Sequence, residues 1–152
     1  MEDSTSIGKR IKIENEILFY VREALSVAIR APLAHETAIE WLERAQFLVG
    51  SFSRHVRRLF AIEEEGGYMD FVTALKPTFA NRAAKLREEH RSLVSDLEGI
   101  RADAHNTNPS NLANLHSLQQ RLLGFFRRLE SHRHHEWELL QETYLVDLGG
   151  EG

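Results

Sequence analysis

The sequence predicts an all-α fold, an up-down-up-down antiparallel four-helix bundle, from three observations. Only three prolines and nine glycines occur in 152 residues, and their placement leaves four long uninterrupted segments. Within these segments apolar residues recur at alternating intervals of three and four, the period of a helix that buries one face. The connections between segments are short, which favours antiparallel neighbours around a single core. No strand is predicted anywhere.

The first helix is expected from about Lys9 to Arg30, following a flexible tail at 1–8, with Ile13, Ile17, Val21, Ala24 and Ala28 on its inner stripe. It stops at Ala31-Pro32, because the proline ring disfavours helical geometry in the residue before it. The second begins near Glu36 and carries Leu42, Ala45, Val49, Phe52, Val56 and Leu59 on one stripe before Gly66-Gly67 ends it. Tyr68 to Leu75 reads as a short helix or turn, and Pro77 suits the first turn of the third long helix. That helix shows Phe79, Ala83, Leu86, His90, Leu93, Leu97 and Ile100 on one face and ends before the breaker Asn106 to Ser110. The fourth runs from about Asn111 to Tyr144, with Leu115, Leu118, Leu122, Phe126, Leu129, Glu136, Leu140 and Thr143 inward. One domain, 9–146, is therefore expected, followed by a loose tail at 147–152.

Composition removes several classes of function. The absence of cysteine excludes disulfide scaffolds, thiolate metal sites, iron–sulfur clusters and cysteine nucleophiles. With 42% hydrophobic and 28% charged residues the chain has globular composition. No apolar run approaches the roughly 18 residues of a membrane span. The opening MEDSTSIGKR lacks the apolar stretch of a secretory signal, so a cytoplasmic location and no membrane partner are expected. A net charge of −4 with interspersed signs gives no support to nucleic-acid binding, and Arg54, Arg57 and Arg58 read as a solvated helix face. No GxSxG, phosphate-loop or dinucleotide fingerprint occurs, and no enzymatic activity is assigned.

The chemical clue lies in the polar residues that interrupt the inner stripes, since an unpartnered charge is costly to bury. His90 stands between Leu86 and Leu93 on the third long helix. His132 and Glu136 on the fourth are spaced i, i+4, which places them about 40° apart on one face. Glu63 continues the second stripe one turn after Leu59. Each has a plainer reading alone: a hydrogen-bonded core histidine, a fraying acidic helix end, an ordinary i, i+4 contact. Together, two imidazoles and two carboxylates directed into one interior form the nitrogen and oxygen donor set of a divalent ion such as iron, manganese or zinc. The ion would supply the compensating charge. His55, one turn before Leu59 and beside the stripe, is a further candidate. His134 should face solvent and His135 should flank the core, while His35, His105 and His116 belong to the surface. Whether Tyr68 or Tyr20 lines the site is left open by the sequence, packing being the more ordinary role of each.

These pieces resemble the bacterial hemerythrin-like (HHE cation-binding) domains over roughly Glu14 to Gly149. LFAIEEEGGYM (Leu59 to Met69) is similar to the family pattern HFxxEExGGYL, LREEH (Leu86 to His90) follows, and LESHRHHEWELLQETYLVDLGG (Leu129 to Gly150) resembles the family's terminal HxxxE helix. The resemblance implies a four-helix bundle around non-haem iron, usually two ions bridged by carboxylates, that reacts with dioxygen or acts in sensing or storage. Carried over, Glu63, His90, His132 and Glu136 match ligand positions. Leu59 and Asn15 stand where the family pattern has histidines. Three outcomes follow: one metal held by two histidines and two carboxylates, a binuclear site completed by His55 or Glu14 and water, or a metal-free bundle descended from such a domain and serving as an interaction or regulatory module.

Overall fold

The computed structural model describes residues 4–149, and among them the chain is all-helical. In order the helices are α1 (Ser4–Arg30), α2 (Ala38–Glu64), the short α3 (Tyr68–Leu75), α4 (Pro77–Asn106) and α5 (Leu112–Gly149). Helical backbone therefore extends beyond the expected limits at Lys9 and at Tyr144, into the segments expected to be tails. The remainder of those segments, 1–3 and 150–152, lies outside the described residues. No helix among the described residues is long and apolar enough to cross a membrane.

The breaks follow local chemistry. Gly66 adopts φ 71°, the left-handed region that only glycine enters without steric cost, and its N–H donates to Asp70 Oδ2 at 3.0 Å. A side chain on Gly67 would run into the backbone carbonyls of Ile62 and Glu63. The glycine pair thus lets the chain turn tightly and start α3 directly after α2. Lys76 is extended at φ −149°, ψ 146°, as the residue before a proline should be, and Pro77 opens α4. In the asparagine-rich loop, Asn108 Oδ1 accepts from the Ser110 N–H, and Asn111 Oδ1 accepts from the Asn114 N–H at 3.1 Å to cap α5.

α1 packs most extensively on α2, α5 packs on α4, and α2 against α4 joins the two pairs, whereas α1 and α5 meet sparsely. The buried apolar residues form two clusters. The larger draws on all four long helices and includes Leu25, Val49, Phe52, Leu59, Phe60, Leu93, Leu97, Leu122 and Leu129. The smaller, at the α3 end, comprises Met69, Val72, Phe79, Leu86 and Leu139. Along α4 the clusters meet at Leu86 and Leu93, with His90 between; along α5 they meet at Leu129 and Leu139, with His132 and Glu136 between. The core is therefore split by a polar layer.

The stripes expected on α2 and α4 are buried throughout, but two other registers need correction. On α1 the buried residues among those whose side chains are described are Leu18, Leu25 and Ile29; Ile13 and Ala24 are exposed, and Ile17, Val21 and Ala28 only half-buried. The helix carries two apolar stripes, and the one that turns inward has larger side chains, hence more apolar area to remove from water. On α5, Leu139 is buried and Leu140 half-buried, because a step of three after Glu136 keeps the stripe aligned along a long helix.

Candidate metal centre

The polar layer is built from four helices. α2 supplies Glu63 and Glu64, α3 supplies Tyr68, α4 supplies Glu89 and His90, and α5 supplies His132 and Glu136. Glu63, His90, His132 and Glu136 are 6%, 2%, 2% and 8% exposed, so the four ligand-type side chains singled out on the stripes are all interior. One ligand atom from each of His90, His132 and Glu136 lies within 4.8 Å of the others. Glu63 joins them, its Oε2 lying 3.3 Å from His90 Nε2. His132 Nε2 is 2.5 Å and His90 Nε2 3.6 Å from the same Glu136 Oε1.

The orientation of the imidazoles is the most telling feature. Each directs Nδ1 away from the shared point onto a carboxylate: His90 Nδ1 to Glu64 Oε1 at 3.1 Å, and His132 Nδ1 to Glu89 Oε2 at 2.5 Å. Such an outer partner fixes the Nδ1–H tautomer and leaves the Nε2 lone pair directed inward, the arrangement used for metal-bound histidines. Both Nε2 atoms, and Glu63 Oε2, are buried without a directed hydrogen bond. His132 Nε2 is near Glu136 in distance but misaligned with it, so the two attract without a proper N–H···O bond. Phe60 stacks on the His90 ring with centroids 3.8 Å apart and meets His132 edge-on, which immobilises both rings. On the other side the Tyr68 hydroxyl donates to Glu136 Oε2 at 2.6 Å. The donor set, two imidazole nitrogens and two carboxylates with inward-facing orphan atoms, fits a divalent ion.

Without a cation, protons must take over its role. Burial raises the Glu63 carboxyl to about 7, with His90 opposing and the nearby Glu136 carboxylate adding to the effect. Burial alone would raise Glu136 too, but His132, His90 and the Tyr68 hydroxyl outweigh it and hold this carboxyl well below the usual range. For His90, burial is overcome by Glu136 and Glu63, which lift it to about 9; His132 is also raised, burial being outweighed chiefly by Glu136. Burial, then the Glu136 and Glu63 charges, push the Tyr68 phenol well above its normal value.

The remaining candidate ligand is not brought to this point. His55 is half-buried and its Nδ1 faces Glu14 Oε2 at 3.3 Å. Eight residues, roughly 12 Å of helical rise, separate it from Glu63 along α2. Leu59 is packed in the larger apolar cluster, and Asn15 Oδ1 accepts from Arg133 Nη2 at 2.5 Å. His134 and the surface histidines are exposed as expected, but His135 is half exposed rather than flanking the core, approaching Glu89 at 3.6 Å. Sequence reasoning passed over Glu64 and Glu89 and left the place of Tyr68 open. The doubled acids Glu63-Glu64 and Glu88-Glu89 beside ligand-type residues were the available signal, since a metal-bound histidine needs an outer acceptor. No match was found for the chain among protein-family models, curated proteins or solved structures.

Proposed function

We propose that this chain is a metal-binding protein of the hemerythrin-like kind, an up-down-up-down antiparallel bundle that holds non-haem iron between its two apolar clusters. The observation that supports it best is the pair of buried imidazoles, each turned by an outer carboxylate so that Nε2 faces Glu136 and Glu63 with no directed partner. His90, His132, Glu136 and Glu63 would hold the ion. Its charge would replace the protons that otherwise make the layer tolerable. An iron ion in this layer would supply redox chemistry and reversible affinity for dioxygen, in keeping with a binding, sensing or storage role. Iron over manganese or zinc follows from the resemblance, because the donor set accepts all three.

The position of the donors favours one ion per chain over a bridged pair. Leu59 and Asn15 offer no imidazole, and His55 is engaged with Glu14. The same three residues favour, as the second reading, a metal-free module descended from a metal-binding ancestor. Elemental analysis distinguishes the readings. Protein produced with supplemental iron, and separately with zinc, is expected to retain about one ion per chain, and His90→Ala or His132→Ala to abolish retention with helicity preserved. A metal content of zero in the unmodified chain, under both reducing and oxidising conditions, would establish the module instead.

A further inference from the structure

We propose that the cleft above Glu63 and Glu136 binds a short-chain organic monocarboxylate, recognised by Arg133 at the rim; the inference rests on the metal reading above. The cleft has a volume of about 360 Å³, within the range of small-ligand sites. Its floor is the inner side of the candidate centre, where Glu63, Glu136 and Tyr68 line it. Trp137 and Leu140 from α5 form an apolar wall, and Trp137 is left 59% exposed. Arg133 and Asn15 complete the lining.

Three features of that lining select the ligand. The first is charge. The charges of Glu63 and Glu136 would be met by the ion they hold, and Glu64 and Glu89 lie on the Nδ1 side of the imidazoles, outside the lining, so the charge left for a ligand in the cleft to meet is that of Arg133. Arg133 is the cation in the lining; it gives one N–H to Asn15, and its planar fork carries further N–H donors. A single guanidinium favours a monoanion, since a neutral carbonyl would accept only weaker hydrogen bonds from it. The second is shape, since a planar carboxylate matches that fork. The third is polarity, because the indole and leucine side chains provide a surface for a short alkyl body, which an inorganic anion would leave uncovered. The position that carries a histidine in the resembling family thus bears an amide that steadies the recognising arginine.

The test uses the full chain loaded with zinc, which is redox-silent, and follows the Trp137 indole N–H by NMR, assigned against Trp137→Phe. Propanoate is expected to shift the indole signal saturably, and its uncharged counterpart propanamide to bind about tenfold more weakly or worse. Arg133→Met should weaken propanoate by about tenfold, leave propanamide and zinc content unchanged, and be partly rescued by Arg133→Lys. Zinc retained with no saturable shift, or with propanoate and propanamide binding alike, overturns the inference alone. The same holds if phosphate binds as well as propanoate, or if Arg133→Met is without effect. A chain that retains no zinc overturns the metal reading and this inference with it.

Discussion

In the larger apolar cluster Phe52 meets Phe125 and Phe126 edge-on, with ring centroids 6.0 and 5.6 Å apart, and nothing there asks for a partner beyond close packing. Further along the same helices, Phe60 packs on His90 and His132, and the surroundings become two imidazoles and two carboxylates. Backbone geometry is the same in both regions, since α2, α4 and α5 run through each without interruption. Only the side chains at the stripe positions differ. The apolar region is stable by removing surface from water, whereas the polar layer is tolerable only when protons or a cation balance its charges.

That contrast makes opposite forecasts for substitution. Truncating the apolar region, as in Leu97→Ala, is expected to cost about 2–5 kcal/mol of unfolding free energy in denaturant titration, through lost transfer energy and the cavity left behind. Replacing Glu63, His90, His132 and Glu136 together by leucine or methionine is expected to leave the metal-free chain as stable or to stabilise it by about 1–4 kcal/mol. Metal retention would vanish at the same time. A quadruple variant destabilised as much as Leu97→Ala would mean that the polar layer itself contributes to folding, and the contrast would fail.

The second forecast concerns pH and gives the two states of the layer opposite slopes. Glu63, raised from 4.5 to about 7, and His90, raised from 6.5 to about 9, both hold protons more tightly folded than unfolded. Their contribution is full below the unfolded values and is lost as pH rises through the folded ones. Metal-free protein, kept in chelator, should therefore lose stability from about pH 4.5 to 9, the Glu63 part between about 4.5 and 7 and the His90 part between about 6.5 and 9, by on the order of 1–3 kcal/mol for each. Glu136, held low, acts in the opposite sense and only at acid pH. With zinc in excess the slope should reverse, because the ion competes with protons for the same nitrogens and oxygens and gains as they leave. Denaturation midpoints at several pH values, with and without zinc, measure both slopes. Parallel slopes would indicate that zinc does not displace those protons.

Why the polar layer was legible and its surroundings were not follows from the same contrast. His90, His132, Glu136 and Glu63 interrupt regular apolar stripes, so periodicity exposes them by their wrong polarity. The outer carboxylates offer no such signal: Glu64 and Glu89 occupy positions where an acidic residue is ordinary, and only the fold brings them onto Nδ1 of histidines 26 and 43 residues away. Tyr68 likewise reaches Glu136 across 68 residues of sequence. His55 was drawn in by its nearness to the stripe, but proximity around the helix says nothing of height along it. The stripes of α2 and α4 read correctly because each helix has one apolar face; α1 read incorrectly because it has two.

The smallest effects bear on that second face. If Leu18, Leu25 and Ile29 form the inward side of α1, then Ile13→Ser and Tyr20→Ser, at positions 53% and 71% exposed, should each change unfolding free energy by less than about 0.5 kcal/mol. Leu25→Ala on the opposite side should cost about 2–5 kcal/mol. The comparison isolates orientation, since all three substitutions lie on one helix and leave the polar layer untouched. A cost at Tyr20 equal to that at Leu25 would mean that α1 presents the Ile13 stripe inward. In that case Glu14 and Asn15 would turn with it, and the Arg133 contact at the rim of the cleft would be lost.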